Sequence, residues 1–188
     1  MKALALRGAA FALAGLLAVA GWFGGVYESD NYHAVIAGEL YRSGQMDGPG
    51  LTRRIRDDGI RSVINLRGPN EGTAWYDEEI AATRAAGIAH LDFRMTARSS
   101  LSAEDARRLA AMMRDAPKPV LIHCDGGSDR TGLASALYLA AVAGQPEQAG
   151  RQLSVRYGYL GIEGVTKAWP MIESWDRLKG ELPLIAAD

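Results

Sequence analysis

The chain has 188 residues, 48% hydrophobic and 23% charged, a composition that suits one globular domain and excludes a largely disordered or collagen-like chain. Twenty-one Lys and Arg against 22 Asp and Glu leave a net charge of -1, so no global positive field is available to hold nucleic acid. One cysteine excludes an internal disulfide and a cysteine-only metal cage, and the three histidines, at 33, 90 and 123, lack the spacing of metal ligands.

Residues 8–27, GAAFALAGLLAVAGWFGGVY, carry no charge and follow Lys2 and Arg7. Twenty residues of helix rise about 30 Å, enough to cross the hydrocarbon core of a bilayer. Two readings stay open. Ala18-Val19-Ala20 has the small-x-small form of a signal-peptide cleavage site. The run continues past it to Trp22 and Tyr27, however, whereas a signal h-region spans about 7–15 residues, so a retained anchor over residues 9–26 fits better. The charges of Lys2 and Arg7 before the run, and of Glu28 and Asp30 after it, put the N-terminus in the cytoplasm. Residues 1–27 then form a signal anchor or signal peptide, and residues 28–188 the working domain. In a bacterium that domain stands on the periplasmic side of the inner membrane, or free in the periplasm after cleavage. A solitary cysteine suits such an oxidising compartment.

The pattern next predicts short strands over residues 33–36 and 39–41 around the Ala37-Gly38 turn, and a helix over 47–58 stopped by Gly59. Val63-Ile64-Asn65-Leu66 reads as a buried strand, and residues 68–72 as a loop. A helix over 73–86 ends at Gly87, and a strand over 88–95 follows. Ser102 caps the next helix, whose apolar face is Ala106, Leu109, Ala110 and Met113. Val120-Leu121-Ile122 has the wholly apolar character of a central parallel strand. Helices are expected over 131–143, 146–156 and 166–178. The alternation argues for an α/β fold, a central mostly parallel sheet with helices on both faces, preceded by one N-terminal hydrophobic helix.

The chemistry concentrates after the apolar strand, in His123-Cys124-Asp125-Gly126-Gly127-Ser128-Asp129-Arg130-Thr131-Gly132. A strand running through a glycine-containing loop into a helix N-terminus can turn several backbone N–H groups inward, with the helix dipole behind them. Asp125, Gly126, Gly127, Ser128, Asp129 and Arg130 would then cradle an anion. Cys124 opens that cradle, where positive potential favours the thiolate. Arg130 closes it with a planar fork matched to two phosphate oxygens. This is the equipment for thiolate attack at phosphorus through a phosphocysteine, with no metal or other cofactor.

Here the sequence resembles the protein tyrosine phosphatase superfamily. Its signature, Cys-x5-Arg behind an apolar strand and His and followed by Thr-Gly, is present in full. Leu40-Tyr41-Arg42-Ser43-Gly44-Gln45, Val63-Ile64-Asn65-Leu66-Arg67 and Ala86-Gly87-Ile88 resemble the compact bacterial dual-specificity-like branch, over about residues 35–160. The resemblance implies a tyrosine-phosphatase-like fold with Cys124 as nucleophile and Arg130 on the phosphate. It also implies that Thr131 hydrogen-bonds the leaving thiolate and that His123 orients the loop.

The same resemblance leaves two candidates for the general acid, beside the alternative that no residue is dedicated to that role. Asp92 lies 32 residues before Cys124, within a stretch read as strand, and the following residues 96–100, expected to be mobile, hold no carboxylate. Asp129 stands directly before Arg130, as in myotubularin lipid phosphatases and some secreted bacterial phosphatases. Arg42 and Arg67 are candidates for the phosphate site or for surface ion pairs. Asp125 and Asp129, with no Lys in the loop, should disfavour very highly charged substrates. A phosphotyrosine protein, a small aryl phosphate or a lipid phosphate reachable from a membrane is therefore expected. The rivals are a phosphate-binding pseudophosphatase and, less well matched because its loops lack Arg-Thr-Gly, a rhodanese-type sulfurtransferase.

Overall fold

The computed structural model describes residues 13–22, 24–25 and 29–181. Residues 13–22 are helical and exposed. Among the described residues no helix is long and apolar enough to cross a membrane, and the expected anchor over 9–26 lies partly outside them.

Five strands form one sheet: β1 (His33–Ile36), β2 (Leu40–Ser43), β3 (Ser62–Asn65), β4 (Ala89–Asp92) and β5 (Val120–His123). Their order is β1-β2-β5-β3-β4, with β1 antiparallel at one edge and every other pairing parallel. The helices are α1 (Gly48–Asp58), α2 (Ala74–Ala86), α3 (Ala103–Asp115), α4 (Asp129–Leu137), α5 (Pro146–Ala149) and α6 (Trp169–Leu178). Strand alternation sorts the side chains into two cores. Leu40, Ile64, Val120 and Ile122 face a large core with α3, α4 and α6, while Tyr41, Val63 and Leu121 face a smaller one with Leu51 of α1 and Ala82 of α2. With helices on both faces, β5 is buried along its whole length, as its unbroken apolar run requires.

Capping accounts for the sharpest boundaries. Asp47 accepts from the Gly50 amide at the start of α1, Ser102 accepts from that of Asp105 at the start of α3, and Gly59 and Gly87 end α1 and α2 in the left-handed region. Four expectations change. Strand β4 stops at Asp92, short of residue 95. The helix over 131–143 begins at Asp129 and passes at Tyr138–Val142 into a π-helical turn. The helix over 146–156 breaks into α5 and two 3-10 turns, which turns the Gln152 carbonyl away from a helical partner and onto Arg42 Nη1 at 3.0 Å. The last helix begins at Trp169, three residues late, where Pro170 occupies its first turn.

Register aligns the C-terminal residues of the four parallel strands. Ser43 pairs with His123, His123 with Asn65, and Asn65 with Asp92. The loops that leave these ends share one rim of the sheet, the usual place for a ligand in an open α/β fold.

Candidate active site

The segment from Cys124 to Ser128 links β5 to α4 at that rim. Its carbonyls point outward, each onto a fixed donor. Asp125 O accepts from the Gln45 amide at 2.8 Å, Gly126 O from Asn31 Nδ2 at 3.0 Å, and Gly127 O from Arg42 Nη2 at 2.7 Å. Among the described residues none of the backbone N–H groups from Asp125 to Arg130 donates to a protein acceptor. Outward carbonyls and unspent amides are the arrangement an anion cradle needs. Gly127 is required for it: φ is +72°, and a Cβ there would stand 2.5 Å from the Gly44 nitrogen and 2.6 Å from the Ser43 carbonyl carbon.

Cys124 lies at the floor, 2% exposed, within the larger core. Arg130 in the first turn of α4 reaches the cavity above, and its Nε is buried without a protein partner. A buried guanidinium nitrogen with no acceptor is costly unless an anion supplies one. Thr131 is fully buried, with its hydroxyl 3.5 Å from Ser43 O.

His123 is anchored from behind. Its Nε2 lies 3.0 Å from Oε2 of Glu79 on α2, and its Nδ1 lies 3.3 Å from the Cys124 carbonyl. Glu79 also bonds His90 Nε2 at 2.7 Å and Gln45 Nε2 at 2.9 Å. Burial pushes the Glu79 carboxyl up, but His123, His90 and Gln45 outweigh it and hold the group well below the usual carboxylate range. Sequence reasoning missed Glu79. The available signal was a Glu on the buried stripe of α2, between Tyr76 and Thr83 at helical spacing.

Arg42 is not a surface residue. It is fully buried, donates through Nη1 to Gln152 O and Oε1, and lies with Cζ 3.9 Å from the Tyr157 ring centre. No carboxylate pairs with it among the described residues, and its Nε is also unpartnered. Burial pulls it down to about 10, against the opposing pull of Tyr157 and Cys124.

The two candidate acids stand differently. Asp92 is committed on both oxygens, Oδ1 to Asn65 Nδ2 at 2.8 Å and Oδ2 to the Tyr76 hydroxyl at 2.6 Å. Asp129 Oδ1 accepts from Ser128 Oγ at 2.9 Å. Neither lines the cavity that Arg130 enters, where the acidic residue is Asp105. Asp125 is at the rim, paired with Arg67 Nη1 at 3.2 Å, and Arg67 stacks on Trp75. The loop's two carboxylates therefore do not set the charge of the site. Arg67, Arg94, Arg98 and Arg130 line a cavity of about 530 Å³, with three of them brought from the ends of β3 and β4. Arg151 and Arg156 lie outside it.

A model of the tyrosine phosphatase family matches residues 23–149. The chain belongs to the tyrosine phosphatase family. By that membership it is a phosphatase, and the expectation from the Cys-x5-Arg loop holds at this level. No curated protein matches the chain. Among solved structures it is similar to TpbA of P. aeruginosa, at 22% identity and TM-score 0.61 over 86% of this chain and 93% of that one. PTPMT1 follows at 17% and 0.59 over 83% and 98%, and SIW14 of S. cerevisiae, a PP-IP phosphatase, at 18% and 0.56 over 82% and 91%. At such identities these likenesses show the fold.

Proposed function

We propose that the protein hydrolyses phosphomonoesters through a phosphocysteine on Cys124. The reading rests on one observation: three loop carbonyls are tied outward around a buried cysteine, leaving the amides and Arg130 to converge above it. The Cys124 thiolate attacks phosphorus as the ester P–O bond breaks, and the loop amides with Arg130 take the charge on the equatorial oxygens. Asp129 gives the leaving oxygen its proton. Water then attacks phosphorus, breaking the P–S bond and returning the thiolate, which Thr131 stabilises. His123, pinned by Glu79, holds the loop's first turn.

TpbA has been crystallised as a cysteine-to-serine variant with pTyr and PTPMT1 with PI(5)P, so this fold accepts both kinds of phosphate. Separately, we propose that the domain stands at the outer face of the inner membrane, held by residues 9–26. The charge-free run over 8–27 and the charges flanking it support that placement. Full-length protein should stay in the membrane pellet through a carbonate wash, and a soluble product beginning at Gly21 would instead identify a cleaved signal.

The deciding experiment is phosphate release from 4-nitrophenyl phosphate by the full-length protein in excess chelator. Turnover should persist in chelator and vanish in Cys124→Ser. Metal-dependent turnover, or a phosphoenzyme trapped on any other residue, rejects the proposal.

A further inference from the structure

The cavity that Arg130 enters beside the loop holds more positive charge than one phosphate uses. Arg67 is committed to Asp125 at 3.2 Å, and Asp105 to Arg108 at 2.8 Å. Arg130 belongs to the reacting phosphate. Arg94 and Arg98 remain. Arg94 is exposed and donates to the neutral Pro69 carbonyl, with no carboxylate paired to it among the described residues. The Arg98 guanidinium has no partner among the described residues, although its backbone nitrogen is fixed by Thr96 Oγ1 at 3.2 Å. The segment carrying them is held in place at its far end. Ser100 Oγ bonds Glu173 Oε2 at 2.5 Å, the Leu101 amide bonds Ser174 Oγ at 2.9 Å, and Arg177 donates to the Leu101 carbonyl. Helix α6 thus fixes the strap that presents both arginines to the cavity.

The wall that carries Arg94 and Arg98 offers no ring to stack on an aryl leaving group. Among the described residues no aromatic side chain lines this cavity; Trp75, with Arg67 stacked on its ring, lines the adjoining cleft with Asp125 and Gly126 of the loop. Serines and guanidiniums dominate, in a volume of about 530 Å³, the size of a small-ligand site.

We propose that Arg94 and Arg98 form a second anion site on the wall of the catalytic cavity, and that the substrate is a phosphomonoester whose leaving group carries a second phosphate. This rests on the assignment of the Cys124 loop as the reacting site. A guanidinium is suited to either a phosphomonoester or a phosphodiester. A soluble polyol bisphosphate and a lipid headgroup share that chemistry.

The test compares kcat/KM of the full-length protein on six compounds. These are 4-nitrophenyl phosphate, a phosphotyrosine peptide, fructose 6-phosphate, fructose 1,6-bisphosphate, phosphatidylinositol 5-phosphate in neutral vesicles, and its deacylated headgroup. Compounds with a second phosphate should be preferred over fructose 6-phosphate by about tenfold to a hundredfold, the scale of one or two hydrogen bonds to a charged group. The double variant Arg94→Gln, Arg98→Gln should lose most of that preference through KM. Preference for the vesicle over its deacylated headgroup assigns the lipid source, and the reverse assigns the free one. A phosphotyrosine peptide preferred over every bisphosphate, or a preference that survives in the double variant, overturns the proposal. If nothing is turned over, nitrophenyl phosphate included, the hydrolase reading fails separately. Calorimetry on the unmodified chain then decides: fructose 1,6-bisphosphate bound more tightly than fructose 6-phosphate, with the difference lost in the double variant, retains the second site. Equal affinities remove it.

Discussion

Arg42 Nη2 donates to the Gly127 carbonyl at 2.7 Å, so a side chain buried under β2 fixes the turn of a loop 85 residues further along the chain. The other arm of the fork holds Gln152 through both its backbone and side-chain oxygens. One guanidinium therefore joins the β2 edge, the anion cradle and the segment after α5. Its charge faces no carboxylate among the described residues, and Tyr157 and Cys124 are the groups that oppose the pull of burial on it. Binding of a phosphate above would supply further compensation, because fields act strongly where water is excluded.

Replacing Arg42 tests this arrangement. Arg42→Met removes a buried charge but orphans the Gly127 and Gln152 carbonyls, at about 1–3 kcal/mol for each unsatisfied group. Arg42→Lys keeps the charge and cannot span both acceptors. Both variants should lose stability in urea titration. Both should also lose at least about tenfold in kcat/KM, as expected when a positioning group shifts the reacting geometry. A variant with reduced stability and unchanged kcat/KM would show that Arg42 serves folding alone.

Gly127→Ala asks whether the loop's shape is obligatory. The added methyl would meet the backbone of Ser43 and Gly44 at 2.5–2.8 Å, in a conformation with φ at +72°. Backbone cannot swing aside as a flexible side chain can, so the loop must move. A shift of about 1 Å can cost 10²-fold in rate, and the variant should lose at least that with little change in circular dichroism.

The Glu79 cluster gives a pH prediction. Its carboxyl is depressed in the folded protein relative to 4.5, because His123, His90 and Gln45 outweigh the cost of burial. The folded state therefore binds fewer protons than the unfolded chain once the pH falls to that range. The stability this contributes is present above about 4.5 and drains away as acid approaches the folded value. Wild type should lose urea resistance steeply between about pH 5 and pH 3. Glu79→Gln should start lower at neutral pH and decline less steeply. Parallel slopes would remove the cluster from the acid response.

The sheet, the two-faced helical cover and the loop were legible because each left a local pattern. Val120-Leu121-Ile122 is apolar without alternation, Gly59 and Gly87 stop helices, and Cys124 and Arg130 flank a glycine loop ahead of a helix. The surroundings of the site were not legible in the same way. Glu79 reaches His123 across 44 residues, and Arg42 reaches Gln152 across 110. Such pairs depend on strand order, which leaves no trace in spacing. The charge of the cavity was misjudged for the same reason: the loop shows its own two carboxylates, while Arg67, Arg94 and Arg98 come from elsewhere. The break after Ala149 also answers to a tertiary contact, since the Gln152 carbonyl accepts from Arg42.

The general acid is the sharpest remaining test. Asp92 accepts from Asn65 Nδ2 and the Tyr76 hydroxyl on separate oxygens, so both oxygens are committed within the fold. Asp129 accepts from Ser128 Oγ and sits in the first turn of α4 beside Arg130, with its second oxygen uncommitted. Asp105 lines the cavity but is engaged by Arg108 and by Ser102. A proton donor matters most when the leaving oxygen is a poor leaving group, and little for nitrophenolate. Asp129→Asn should therefore slow an alkyl phosphate by about 10²–10⁴-fold and nitrophenyl phosphate far less, while flattening the alkaline limb of the pH–rate profile. The same pattern in Asp92→Asn or Asp105→Asn, with Asp129→Asn unaffected, would move the acid to that residue. Equal losses on both substrates in Asp129→Asn would show that its carboxylate shapes the loop through Ser128 and transfers no proton.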